Sequence, residues 1–150
     1  MKFRSILILS GALGVLAVGI PTRSSAQQAV GAAQPAPASA EVRKQGDISY
    51  VSGGVGDDSA RAMKAVAKDF NLQITLARPN GEYLAGTKLQ IQSGSGKTVL
   101  EATSGGPLFY AALPPGEYTV RAMAPQGEMK SEKVNLTKSG HAAMLIHLSA

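Results

Sequence analysis

The sixteen residues "KLQIQSGSGKTVLEAT" at 88–103 decide between two folds. Gly96-Lys97-Thr98 is how nucleotide-binding phosphate loops end, whereas Lys88 to Gln92 alternates polar and apolar as a strand does. A phosphate loop needs G-x-x-x-x-G-K-[ST] between a strand and a helix, so that backbone N–H groups and a helix N-terminus converge on the phosphates. Five positions before Gly96 stands Ile91, not glycine, and Gly94 comes too late to replace it. The residues that follow, Thr98-Val99-Leu100-Glu101-Ala102-Thr103, are rich in β-branched side chains and read as a second strand. The stretch is therefore a β-hairpin turned by Ser93-Gly94-Ser95-Gly96, and no nucleotide is expected at Lys97.

Outward from the hairpin, nearly everything after residue 71 has a period of two. Strands are expected at 72–77, 82–85, 87–92, 97–103, 107–113, 117–123, 129–136 and 141–148, punctuated by Gly and Pro turns such as Pro79-Asn80-Gly81. Short strands at this spacing predict a mainly β, antiparallel sandwich of about seven strands. One helix interrupts the pattern near the N-terminal side, because Met63, Val66, Ala67 and Phe70 recur at helical spacing over 58–70. Asp57 and Asp58 read as its N-terminal caps and Asn71 as its end. The glycine-rich run before the helix suggests an anion site, but two carboxylates at the helix start would repel an anion.

The first 26 residues carry the pattern of an export signal: Met1-Lys2-Phe3-Arg4 is basic, Ile6 to Ile20 is apolar, and Ser24-Ser25-Ala26 is small. Cleavage after Ala26 and a periplasmic or secreted location follow, since 15 apolar residues fall short of the about 20 that span a bilayer as a helix. Losing Lys2, Arg4 and Arg23 leaves 12 basic against 10 acidic side chains, a net charge of +2 instead of +5. The basic residues are scattered, so nucleic acid is not an expected partner. With no cysteine, the core must hold without disulfides. Residues 27–46, including "AAQPAPASA", read as a disordered Ala/Pro/Gln-rich linker; 47–71 is an N-terminal segment with a short strand at 47–51 and the helix, and 72–150 is the sandwich.

"LPPGEYTVRA" at 113–122 adds a resemblance: a leucine, a Pro-Pro-Gly turn and a Tyr-x-Val strand, with a hairpin before and two strands after. The pattern is similar to the transthyretin-like (prealbumin-like, Ig-like) sandwich and resembles the bacterial carboxypeptidase regulatory-like domain over about 72–150. That family resemblance implies an accessory or binding module. It brings no catalytic residues: hydroxyisourate-hydrolysing members end in Tyr-Arg-Gly-Ser, where this sequence has His147-Leu148-Ser149-Ala150. The zinc peptidases fused to such modules need His-x-x-Glu, and here the residue three after His141 is Met144.

Other chemistry is sparse. His141 and His147 lie about 20 Å apart along one strand, at about 3.3 Å per residue, so they cannot share a metal. Met123, Met129 and Met144 could act as soft copper ligands or fill the core. No cofactor is implied, and no serine has an evident His-Asp partner set. Leu108 to Leu113 is apolar at both parities, so its second face needs a cover. The helix is one cover. A partner is the other, and Phe109 and Tyr110 are then the residues that bind it. The resulting expectation is an exported, non-enzymatic accessory or binding module of the bacterial envelope, with an envelope protein or a glycan as partner. Periplasmic copper handling and an unrecognised hydrolase are the alternatives.

Overall fold

Alternating side chains give each strand one apolar face, and two such faces must meet to leave water. The computed structural model describes residues 40–149. The expected export signal and residues 27–39 of the linker lie outside them. The described chain runs β1 (Val42–Gln45), β2 (Ile48–Gly53), α1 (Asp57–Val66), a 3-10 turn (Ala67–Asp69), β3 (Leu72–Ala77), β4 (Lys88–Ser93), β5 (Thr98–Thr103), β6 (Leu108–Ala112), β7 (Gly116–Met123), β8 (Met129–Leu136) and β9 (Ala142–His147). It is mainly β, a sandwich of a five-stranded sheet ordered β1-β2-β6-β3-β9 and a four-stranded sheet ordered β5-β4-β7-β8.

The inner faces form one core. Leu72, Ile74, Leu76, Phe109 and Ile146 from the larger sheet meet Leu89, Ile91, Leu100, Val120 and Leu136 from the smaller. A second, smaller core lies on the outer face of the larger sheet, where Met63 and Phe70 pack on Val51 and Tyr110, flanked by Val66, Ala67, Leu108 and Ala112. The helical spacing read from the sequence is thus the docking face, although the α-helix ends at Val66 and the last turn tightens into a 3-10 turn.

The decisive hairpin is present: β4 and β5 pair antiparallel, with a register shift at Ile91/Gln92. Gly96 has φ +83°, the left-handed conformation that the turn requires and that glycine takes without steric cost. At the Pro-Pro-Gly corner, Tyr118 turns inward and its hydroxyl donates to the Pro114 carbonyl at 2.8 Å. This ties the start of β7 to the loop before it, as tyrosine corners do in β-sandwiches.

Several expectations need correction. Residues 82–85 form no strand; Tyr83 makes an isolated bridge with Ala77, because this short piece carries the chain from one sheet to the other. The stretch read as linker already contains β1, which survives as an edge by pairing with β2. The strand expected at 47–51 is present as β2, but it belongs to the sandwich, hydrogen-bonded into the larger sheet beside β6. The sheets are not wholly antiparallel: β9 runs parallel to β3, Leu72 opposite Ala142 through Ala77 opposite His147. Gly56 takes the N-cap position, without a side-chain hydrogen bond, so Asp57 and Asp58 act as first-turn charges on the helix dipole, and Asp58 also pairs with Arg61 at 3.4 Å. Asn71 does not end the helix. Its side-chain amide grips Leu113 twice, accepting from the backbone N–H at 2.9 Å and donating to the carbonyl at 2.6 Å.

Candidate functional site

Phe109 and Tyr110 project to opposite faces of β6 because strand side chains alternate. Phe109 is fully buried in the sandwich and stacks on Tyr50, with centroids 5.6 Å apart and planes at 21°. Tyr110 is 5% exposed beneath the helix, its ring 6.4 Å from that of Phe70. The cover over the doubly apolar strand is therefore the chain's own helix. Neither aromatic presents a surface to a partner, and the candidate binding role of Phe109 and Tyr110 is corrected to a packing role.

Burial raises the pKa of Tyr110, and likewise of Tyr118, above the ordinary value of 10.0. In the unfolded chain these phenols ionise near 10.0, before they do in the folded one. Their contribution to stability is thus complete below pH 10.0 and lost as pH rises through the folded-state values. Urea midpoints should hold steady up to that pH and decline above it, and Tyr110→Phe should make the alkaline decline shallower.

The Gly-Lys-Thr turn is closed on itself. The Ser93 N–H donates to Lys97, the Gly96 N–H to Ser93 and the Gly94 N–H to the Glu117 carbonyl, each at 2.8 Å. No convergent row of amides is left for a phosphate. Lys97 is exposed, and Lys97→Ala should change the unfolding free energy by less than about 0.5 kcal/mol. Equilibrium urea unfolding, with an ATP-binding assay on the same sample, checks both halves of that expectation.

The two histidines bracket β9, of which His147 is the last residue. His141 precedes β9, and its Nδ1–H donates to the Phe70 carbonyl at 3.0 Å, which commits it to holding the end of the 3-10 turn. Among the described residues, no three His, Asp or Glu side chains gather as a metal site. Met144 packs at the rim of the main core. Met123 and Met129 stand opposite each other across β7 and β8, 40% and 55% exposed.

Two clefts stand out among the described residues. One of about 360 Å³ lies along β7 and β8, lined by Gly94, Glu117, Tyr118, Thr119, Lys133, Val134 and Asn135. A second, of about 90 Å³, lies between Glu41, Arg43, Tyr50, Ser52, Thr103 and Gly105. There Arg43 reaches Glu41 at 3.1 Å, and this hydrogen bond and charge hold its guanidinium pKa above the usual value. Both clefts are polar and mixed in charge, without the apolar walls of a small-molecule pocket.

The feature that strand-by-strand reading misses is the set of sheet edges. β1 carries Arg43 and Lys44; β8 carries Lys130, Glu132 and Lys133. β5 carries Glu101, whose backbone N–H is already taken by the Gln45 side chain at 3.1 Å. Charges and caps of this kind keep an edge from adding strands. β9, "AAMLIH", has no charged residue, and Leu145 on it is 51% exposed. The signal was present as an uncharged apolar run, but only the topology shows it to be an edge. No helix among the described residues is long and apolar enough to cross a membrane. No family model matches the chain, and neither does any curated protein.

Proposed function

We propose that the chain is an exported, non-catalytic binding module of the bacterial cell envelope that engages a protein partner by strand addition at β9. The observation that carries this reading is the contrast among the four edges: three are charged or capped within their strands, whereas β9 is bare along its length and is capped only past its end, where the Ser149 N–H donates to the Glu128 carboxylate at 2.6 Å. Strand addition draws affinity from main-chain hydrogen bonds and specificity from alternate side chains, so a bare apolar edge is its natural receptor. The basic, apolar and small-residue pattern of residues 1–26 supports export, and the 113–122 corner supports kinship with regulatory-like accessory modules. A glycan partner has less support, since Tyr83 is the sole aromatic among the large exposed apolar residues described.

Mass spectrometry of the envelope fraction should find a chain beginning at Gln27. Affinity capture should then lose its bound protein when Leu145→Lys places a charge on the edge. Full-length chain in the cytoplasm, or capture indifferent to Leu145→Lys, would overturn the reading.

Copper handling is a second reading, favoured by the facing thioethers of Met123 and Met129, since soft sulfur ligands select monovalent copper. Silver(I), a redox-inert stand-in, should raise the melting temperature, and Met129→Leu should remove the rise. No shift with silver would end this second reading.

A further inference from the structure

The backbone hydrogen bonds of β9 show which of its groups are free. The Ala142 N–H donates to the Asn71 carbonyl at 2.8 Å and the Leu148 N–H to the Ala77 carbonyl at 2.9 Å. Peptide groups alternate sides along a strand, so the even-numbered residues face β3 and Ala143, Leu145 and His147 turn their N–H and C=O groups outward. Among the described residues nothing pairs with these groups. The free positions are symmetric about Leu145.

We propose that β9 pairs antiparallel with β9 of a second copy, across a two-fold axis through Leu145. This rests on the reading of β9 as the binding edge and names its occupant. In that register Leu145 lies opposite Leu145 of the other copy and Ala143 opposite its His147, all as hydrogen-bonded pairs, so every outward N–H and C=O finds a partner. The two exposed Leu145 side chains meet on the same face and leave water together. No charge opposes a like charge within the strand. Self-pairing through β1 or β8 would crowd their lysines and arginine, so β9 is the edge on which a copy fits.

The chain's own preceding segment is a poor occupant. It enters at Ala40 beside β1, which is the opposite margin of the larger sheet, four strand spacings or about 19 Å from β9. It also carries Pro35 and Pro37, which lack the N–H a ladder needs. A pair of short strands buries less than the about 1,200 Å² of stable complexes, so the dimer should dissociate on dilution.

The absence of cysteine makes the register directly readable. Hydrogen-bonded antiparallel partners have Cα atoms about 5.5 Å apart, within disulfide reach. For protein purified from the envelope of the expressing bacterium, sedimentation should show a twofold mass increase with concentration. Leu145→Cys should cross-link to itself under mild oxidation, and Ala143→Cys should cross-link with His147→Cys when the two are mixed but not with itself. Leu145→Lys should keep the wild-type melting temperature and abolish the mass increase. A monomer at all concentrations would overturn the dimer, and so would a dimer that forms no disulfide at Leu145→Cys and survives Leu145→Lys. If the protein stays monomeric yet captures another envelope protein in a Leu145-dependent way, the self-pairing fails while the binding-edge reading stands.

Discussion

Phe109→Ala should lower the unfolding free energy by about 3–5 kcal/mol, the usual cost of deleting a buried aromatic ring. Phe109 is fully buried, and its strand is paired on both sides, with Ser52 and Ile74 opposite it. Its ring stacks on Tyr50, which loses that contact as well. Strands held by neighbours on both sides cannot collapse into the space, so the cavity term adds to the transfer term. Equilibrium urea unfolding should show a lower midpoint with an unchanged slope. Phe70→Ala should fall in the same range but by a different route. Phe70 fastens the helix rather than the sandwich, so amide exchange should accelerate over residues 57–70 and stay slow in the β-sheets.

The second large effect comes from Gly106→Ala, expected to cost about 3 kcal/mol by overpacking. Gly106 does not occupy a glycine-only backbone conformation. It is required by contact: a Cβ there would overlap the Gly53 carbonyl oxygen and lie 2.5 Å from its carbon. The obstacle is backbone, so β2 would have to separate from β6 where Gly53 pairs with Leu108. Its neighbour is the control, since a Cβ on Gly105 meets nothing closer than the Ser52 hydroxyl at 3.4 Å. Gly105→Ala should therefore leave the melting temperature nearly unchanged, whereas equal losses at both positions would refute the close-approach argument.

Faces were legible in the sequence and neighbours were not. The alternation in Leu72–Ala77 and Met129–Leu136 marked those strands at their observed bounds, and the double parity of Leu108–Ala112 announced a covered second face. Periodicity says which way a side chain points but nothing about which strand lies alongside, so the parallel pairing of β9 with β3 stayed hidden. β1 escaped because "VRKQ" is exposed along its whole length and has no buried parity to reveal. Leu84 misled in the opposite direction: it is buried, yet it belongs to a crossing whose neighbours Tyr83 and Ala85 are exposed. The candidate site was misplaced for a related reason. Phe109 and Tyr110 belong to a strand that is apolar at both parities, and such a strand lies in the middle of its sheet here, whereas an accessible edge depends on topology.

The parallel pairing of β9 with β3 also orders events in time. The smaller sheet builds from chain neighbours, β4 with β5 and β7 with β8, and can form early as local hairpins. β3 has no such local partner; it waits for residues 108–112 on one side and for 142–147 on the other. During synthesis, "LQITLA" would stay half-paired until the last strand emerged, as an uncharged segment open to other chains. A nonsense codon at position 142 would thus release a species with a finished small sheet and a sticky large one.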